Sequence, residues 1–261
     1  MFIDSHCHLN FDCFKEGFTH LLADLNQANI NHVIIPATDA QRWPEIMALC
    51  EQYPRLYFAL GIHPHFLANV EAEDFALLES TLTRLQKQGQ SHCVALGEIG
   101  LDKLIETDME TQEAIFLTQL AIAQRLQLPV ILHVVKTQSR ILQLLKQTKF
   151  SYGGVYHAFS GSEEIANEFI KLGFKLGIGG VITHPTAKKT QNTLRHLPLK
   201  SLVLETDAPD MPIYKQQSAH NSPLNITVIF EALCALREES RDVIAQQIYN
   251  NSKSIFSIIN D

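Results

Sequence analysis

The chain alternates between two textures, and that alternation constrains its fold more than any other feature. Eight short apolar runs, at residues 2–9, 32–38, 56–63, 93–100, 129–135, 153–159, 175–180 and 201–207, are each followed by a stretch with helical patterning. The runs are rich in Val, Ile, Leu or Phe, and several are apolar on both faces, as strands covered by helices should be. Thr107 followed by Glu110 predicts a capping box, after which Met109, Phe116, Leu117 and Leu120 share one helical face. Pro129 stops that helix and opens the next strand. Ser162 reads as the N-cap of a helix through Lys171 that Gly173 ends, and two more helices are expected over 223–237 and 241–259. Eight βα units in 261 residues predict an α/β fold, a closed (β/α)8 TIM barrel. Such a barrel commonly takes roughly 250 residues as one domain, so residues 1–261 are read as a single unit. An open doubly wound sheet would carry a glycine-rich phosphate loop after its first strand, where this chain has "HLNFD".

Composition narrows the setting. The chain is 46% apolar and 19% charged, which suits a globular protein with a sizeable core. No basic cluster precedes an apolar run at the start, and no apolar stretch reaches the length of a membrane span, so a cytoplasmic protein with no membrane partner is expected. Cys7, Cys13, Cys50, Cys93 and Cys234 are scattered, with no C-x-x-C pair, and read as reduced thiols. A net charge of −7 argues against coating long nucleic acid through counterion release. One stretch runs the other way: residues 171–200 hold Lys171, Lys175, Lys188, Lys189, Arg195 and Lys200 with no Asp or Glu. It is either a solvated surface or a patch that steers phosphate.

In a barrel, residues at the C-terminal ends of the strands converge on one face, where active sites sit. The first run carries "HCH", and on a strand residues i and i+2 share a face, so His6 and His8 should project side by side. The third run ends in His63 and His65, the fourth in "GEIG" with Glu98, the fifth in His133, the sixth in His157, and the eighth in Glu205, Thr206 and Asp207. Any one of these has an ordinary structural explanation; their coincidence at one end points to imidazole and carboxylate ligands for a transition metal. His6, His8, Glu98, His133, His157 and Asp207 are too many for one catalytic ion that keeps an open position. Two ions bridged by Glu98, roughly 3.5–4 Å apart, fit better, one with His6, His8 and Asp207 and the other with His133 and His157. Two divalent ions, two carboxylates and a bridging hydroxide leave one positive charge, which favours a phosphate ester. His63 and His65, in excess of the ligand set, are read as holding phosphate oxygens or assisting the leaving group.

With "DSHCHL", "GIHPH", "GEIGLD", "LPVILH", "HAFSG", "LETDAPDMP" and "NSPLN" in order along nearly the whole length, the chain resembles the TatD family of metal-dependent deoxyribonucleases, among the amidohydrolase-like barrels. The "LETDAPDMP" wording is nearest to its YjjV-like branch. The resemblance implies that His6, His8, Glu98, His133, His157 and Asp207 bind metal. It also implies use of Mg²⁺ or another divalent ion, although a histidine-rich set suits Zn²⁺, Mn²⁺ or Co²⁺ better. The family usually carries an arginine two residues after the strand-five histidine; Val135 stands here, followed by Lys136, which has charge but no bidentate fork. Lys103 likewise stands where an aromatic residue is common.

These features predict a metal-dependent phosphodiesterase, a monomer acting on DNA ends or short single strands. A hydroxide bridging the two ions attacks phosphorus, Asp207 serves as general base, Glu98 bridges, and His63, His65 and Lys136 seat the phosphate. A second reading keeps the hydrolase and changes the bond to an amide, lactone or aminoacyl ester. Glu98 in place of the carboxylated lysine of related amide-opening barrels weighs against it. A third, a barrel without chemistry that binds a partner, conflicts with a complete ligand set.

Overall fold

A computed structural model describes residues 1–89 and 92–258. The strands β1 (Phe2–Asp4), β2 (Ile30–Pro36), β3 (Leu56–Leu60), β4 (Cys93–Asp102), β5 (Val130–Val135), β6 (Gly154–Tyr156), β7 (Phe174–Ile178) and β8 (Leu202–Leu204) form one sheet. Its order follows the chain, and each neighbouring pair is parallel. The helices are α1 (Phe18–Gln27), α2 (Trp43–Gln52), α3 (Ala72–Lys87), α4 (Met109–Leu126), α5 (Gln138–Gln147), α6 (Glu163–Lys171), α7 (Lys188–His196), α8 (Ile226–Cys234) and α9 (Arg241–Phe256). The expected (β/α)8 barrel is therefore present. Its seam between β1 and β8 is joined just past the strands, where the Ser5 amide donates to the Leu204 carbonyl at 3.0 Å and the Asp207 amide to the His6 carbonyl at 2.9 Å. Asp4 fastens the same seam by accepting from the Thr206 amide at 3.0 Å and the Thr206 hydroxyl at 2.6 Å.

Two apolar layers hold the barrel. The larger lies between sheet and helices, with Ile35, Leu60, Leu132, Leu176 and Leu204 facing Phe116, Phe169 and Phe230. The smaller fills the interior with Ile3, Ile34, Ala59, Ala95, Ile131, Val155 and Val203, closed from below by Tyr249, Phe256 and Ile258. Strand parity then sets what stands above this plug. His133 is two residues beyond Ile131, His157 two beyond Val155, and Glu205 and Asp207 two and four beyond Val203. Apolar packing at the lower end thus aims polar groups into the upper end.

The boundaries differ from the sequence expectation in a consistent direction. Six of the eight runs leave the ladder before their expected ends, so His6, His8, His63, His65, His157 and Asp207 lie in the segments just beyond. The backbone of these segments bonds to other segments at the mouth instead, the His63 amide to the Thr38 carbonyl at 2.8 Å and the Asp207 amide to the His6 carbonyl at 2.9 Å. His6 and His8 still project together, because Cys7 and His8 remain tied to flanking backbone through Ile34 and Ala208. β5 keeps its expected end at Val135, with His133 inside the strand, and β4 runs on to Asp102. The capping box at Thr107 and Glu110 is replaced by Asp108, which accepts from the Thr111 amide at 2.9 Å; a carboxylate there also meets the positive end of the helix. Ser162 stands at the N-cap of α6 without a side-chain capping bond, and Gly173 follows with φ +87°. The segment 223–237 begins as a 3₁₀ turn, Pro223–Asn225, before α8. α9 ends at Phe256, and position 259 lies outside the described residues. No disulfide joins the cysteines among the described residues. No described helix is long and apolar enough to cross a membrane.

Candidate metal centre

The geometry is organised by Glu98. Between β4 and β5 the register advances from Leu96 opposite Val130 to Ile99 opposite Leu132, so β4 gains one residue and Glu98 turns into the mouth. Gly100, with φ +156°, lets β4 close on β5, because a side chain there would overlap the His133 carbonyl. The two carboxylate oxygens of Glu98 face separate groups. Oε2 lies 3.2 Å from His6 Nε2 and 3.9 Å from His8 Nε2. Asp207 Oδ1 joins them, at 3.4 Å from His6 Nε2 and 3.6 Å from His8 Nε2. Oε1 lies 2.9 Å from His133 Nδ1, 2.9 Å from His157 Nε2 and 3.3 Å from His63 Nε2.

These separations test whether metal would fit. Ligand atoms about 2.1 Å from one tetrahedral ion stand about 3.4 Å apart. The atoms of His6, His8, Glu98 and Asp207 scatter around that value, and those of His63, Glu98 and His133 also form a compact group. The His6 and His8 Nε2 atoms approach to 3.3 Å. Nitrogens converging on carboxylate oxygens make a donor set suited to divalent cations. The residues fit a divalent-metal centre organised by Glu98.

Electrostatics agree. Burial, with His157 adding to it, holds His6 well below its ordinary value, and burial lowers His8 to about 4, so both imidazoles are neutral, the form that binds metal. Burial also lowers His63. Burial acts to raise Glu98, but the surrounding His157, His63, His6 and His133 outweigh it and hold the carboxyl well below the usual range. His157 goes the other way: burial would lower it, yet Glu98 and then Asp207 lift it to about 10. The negative potential that retains a proton on His157 is a potential that would hold a cation. Burial raises Asp207 to about 7, with His157 opposing and Glu98 adding to the rise.

Of the residues expected here, His6, His8, Glu98, His133, His157 and Asp207 meet as anticipated. His63 was expected outside the ligand set and instead lies at ligand distance from Glu98 and 3.0 Å from His133 Nδ1. Its side chain follows the parity of Ala59 and so points inward. His65 is half-exposed on the rim, 2.9 Å from Asp102 Oδ2. Lys136 is exposed, with left-handed backbone just past β5, and is not among the residues lining the metal pocket. The basic stretch 171–200 is divided between the two ends of the barrel. Lys171 pairs with Glu168 at the far end of α6, and Lys175 donates to the Lys200 carbonyl at the lower end, which leaves Lys188 and Lys189 at the mouth end of α7.

Several contributors carried no clear sequence signal. Asp102 Oδ2 accepts from His133 Nε2 and His65 Nε2, both at 2.9 Å, fixing the His133 ring so that Nδ1 faces Glu98. Gln112 and Gln119, buried seven residues apart on α4, clamp the backbone on which the site rests. Gln112 exchanges bonds with Asp102 at 2.8 and 3.0 Å, and Gln119 does the same with Ile62. Only their burial in three dimensions separates them from surface glutamines. Glu205 sits beneath His157, its Oε1 accepting from the Ala158 amide, and Gly177 leaves the room its carboxyl needs. Asn221 of "NSPLN" ties the loop after β8 by donating to the Thr206, Asp210 and Met211 carbonyls at 2.9, 2.8 and 3.1 Å.

Comparison with known proteins points the same way. The family described as TatD related DNase matches residues 3–257. The chain is 41% identical to the uncharacterized metal-dependent hydrolase YjjV of Escherichia coli K12, over 98% of each chain. It is 37% identical to an uncharacterized metal-dependent hydrolase of Haemophilus influenzae, over 98% of this chain and 99% of that one. The crystal structure of YjjV, a TatD homolog from E. coli K12, superposes with a TM-score of 0.94 at 40% identity, covering 99% of this chain and 98% of the other.

Proposed function

Because this chain belongs to the TatD family of metal-dependent hydrolases, we propose that it is a phosphodiesterase acting on DNA ends or short single strands. The observation that carries the proposal is the division of Glu98, with Oε2 turned to His6, His8 and Asp207 and Oε1 to His63, His133 and His157. Zn²⁺, Mn²⁺, Mg²⁺ or Co²⁺ held in the two positions would supply Lewis-acid polarisation of a phosphoryl oxygen and acidify water. The first position takes His6, His8 and Asp207. The second takes His133 and His157, and His63, kept neutral by its burial, adds a third nitrogen. Phosphate contact then falls to the rim, where His65 bonds to Asp102.

Asp207 carries the proton. Its Oδ1, 3.4 Å from His6 Nε2 and 3.6 Å from His8 Nε2, stands beside the first position, where the carboxylate would orient and deprotonate the attacking water. Asp102 accepts from His65 Nε2 and so fixes that ring at the rim, beside the metal pocket. Opening an amide through a carboxylated lysine finds no support, since no lysine lines the metal pocket among the described residues. The test is a 5′-labelled oligonucleotide and bis(p-nitrophenyl) phosphate, offered to protein loaded in turn with Mn²⁺, Mg²⁺ and Zn²⁺. Cleavage that stops with Asp207→Asn is expected. Absence of cleavage of both substrates by protein shown to contain metal overturns the proposal.

A further inference from the structure

Two phenylalanines stand at matching offsets from two of the histidines. "HLNF" places Phe11 three residues after His8, and "HPHF" places Phe66 three after His63. Each is held by a turn, the Phe11 amide donating to the His8 carbonyl at 3.0 Å and the Phe66 amide to the His63 carbonyl at 2.9 Å. Both rings line the metal pocket, a cavity of about 260 Å³. Their environments differ. Phe11 is stacked on His8 with centroids 5.0 Å apart, and the Arg42 guanidinium lies 5.1 Å from its centroid, so contacts already cover its faces. Phe66 is 42% exposed, an unusual state for a ring beside buried histidines.

Phe66 and His65 also line a second cavity of about 550 Å³, which therefore adjoins the metal pocket across this ring. The charges of that cavity limit what enters it. Asp39, Glu45 and Asp74 face Arg42 there. Asp39 pairs with Arg42 at 3.3 Å, Glu45 with Lys15 at 3.1 Å, and Asp74 accepts from the Glu71 amide at 3.0 Å. A lining with three carboxylates and one guanidinium, the latter already paired with Asp39, disfavours a further phosphate. A flat neutral ring meets no such penalty.

We propose that Phe66 is the stacking platform for the terminal nucleobase of the substrate, seated in the cavity beyond it while the scissile phosphate faces Glu98. This deepens the phosphodiesterase reading and rests on it: the enzyme trims single nucleotides from an end, because the acidic groove admits one base and no following phosphate. Stacking a base on an aromatic side chain contributes about 5- to 150-fold in binding, and one exposed ring belongs at the lower end of that range.

The test uses metal-loaded full-length protein and trinucleotides whose terminal residue, at either end, carries thymine or is abasic. Wild type should favour the base over the abasic residue at least fivefold in kcat/KM at one end, Phe66→Ala should remove that preference, and Phe66→Trp should keep it. Calorimetry with thymidine 5′-monophosphate and abasic deoxyribose 5-phosphate supplies a second readout independent of turnover. Wild type should bind the nucleotide at least fivefold more tightly, and Phe66→Ala should bind the two alike. A wild type blind to the base, or a preference retained in Phe66→Ala, overturns the platform. If no trinucleotide is cleaved, the phosphodiesterase reading fails, and the calorimetric comparison alone decides whether Phe66 stacks a base.

Discussion

Replacing Glu205 with Gln probes a carboxyl buried inside the barrel. Glu205 has no solvent exposure, and burial raises its carboxyl from 4.5 to about 8, against the opposing pull of His157 and the Ala158 amide. In the unfolded chain the same group ionises near its ordinary value. Between these limits the folded protein holds a proton that the unfolded chain has released, so stability is fully present below about pH 4.5 and is lost as pH rises through 8. At about 1.4 kcal/mol per pH unit, the loss between pH 5 and pH 8.5 comes to about 3–4 kcal/mol. Gln matches the neutral acid in volume, keeps an oxygen for the Ala158 amide, and cannot ionise. Urea unfolding of chelator-treated protein at several pH values should show wild type weakening relative to Glu205→Gln by about that amount across the range. Parallel stability curves for the two proteins would refute the reasoning, since other titrating groups, Asp4 and Asp207 among them, are common to both.

Glu98→Gln should reduce the metal content of reconstituted protein from two ions per chain to one or none, measured by elemental analysis after gel filtration, and abolish hydrolysis. Asp102→Asn should weaken metal binding about 10- to 100-fold in competition with a chromophoric chelator, because His133 loses the carboxylate that orients its ring. Gly177→Ala should destabilise the fold by about 1–3 kcal/mol through overlap with the Glu205 carboxyl, and Glu205→Ala in the same chain should recover part of the loss.

Much of this centre was legible because strand parity and the common direction of eight strands do most of the placing. His6, His8, His133, His157 and Asp207 could be collected from the ends of apolar runs with no knowledge of how the strands close. His63 lies nearer Glu98 than its place after the third run indicates, because that distance depends on how far the segment after β3 turns inward. Asp102 went unassigned because its partners, His65 and His133, come from two other strands. The basic stretch left two readings open for a topological reason. Residues 171–200 run from the foot of α6 up β7 and down α7, so neighbours in the chain are sent to opposite ends of the barrel. Phe11 and Phe66 were overlooked because a phenylalanine in a loop reads as packing until its exposure is known.

The Asp4–Thr206 fastening has a consequence for the order in which the molecule comes into being. His6 belongs to the earliest part of the chain and Asp207 to a late one, and the bonds that bring them together use groups on both sides of a single junction. A polypeptide halted before that junction can form has most of its imidazoles but nothing to hold the first pair against the last carboxylate. The first ligand group is therefore complete only once the ring has closed between its first and last strands.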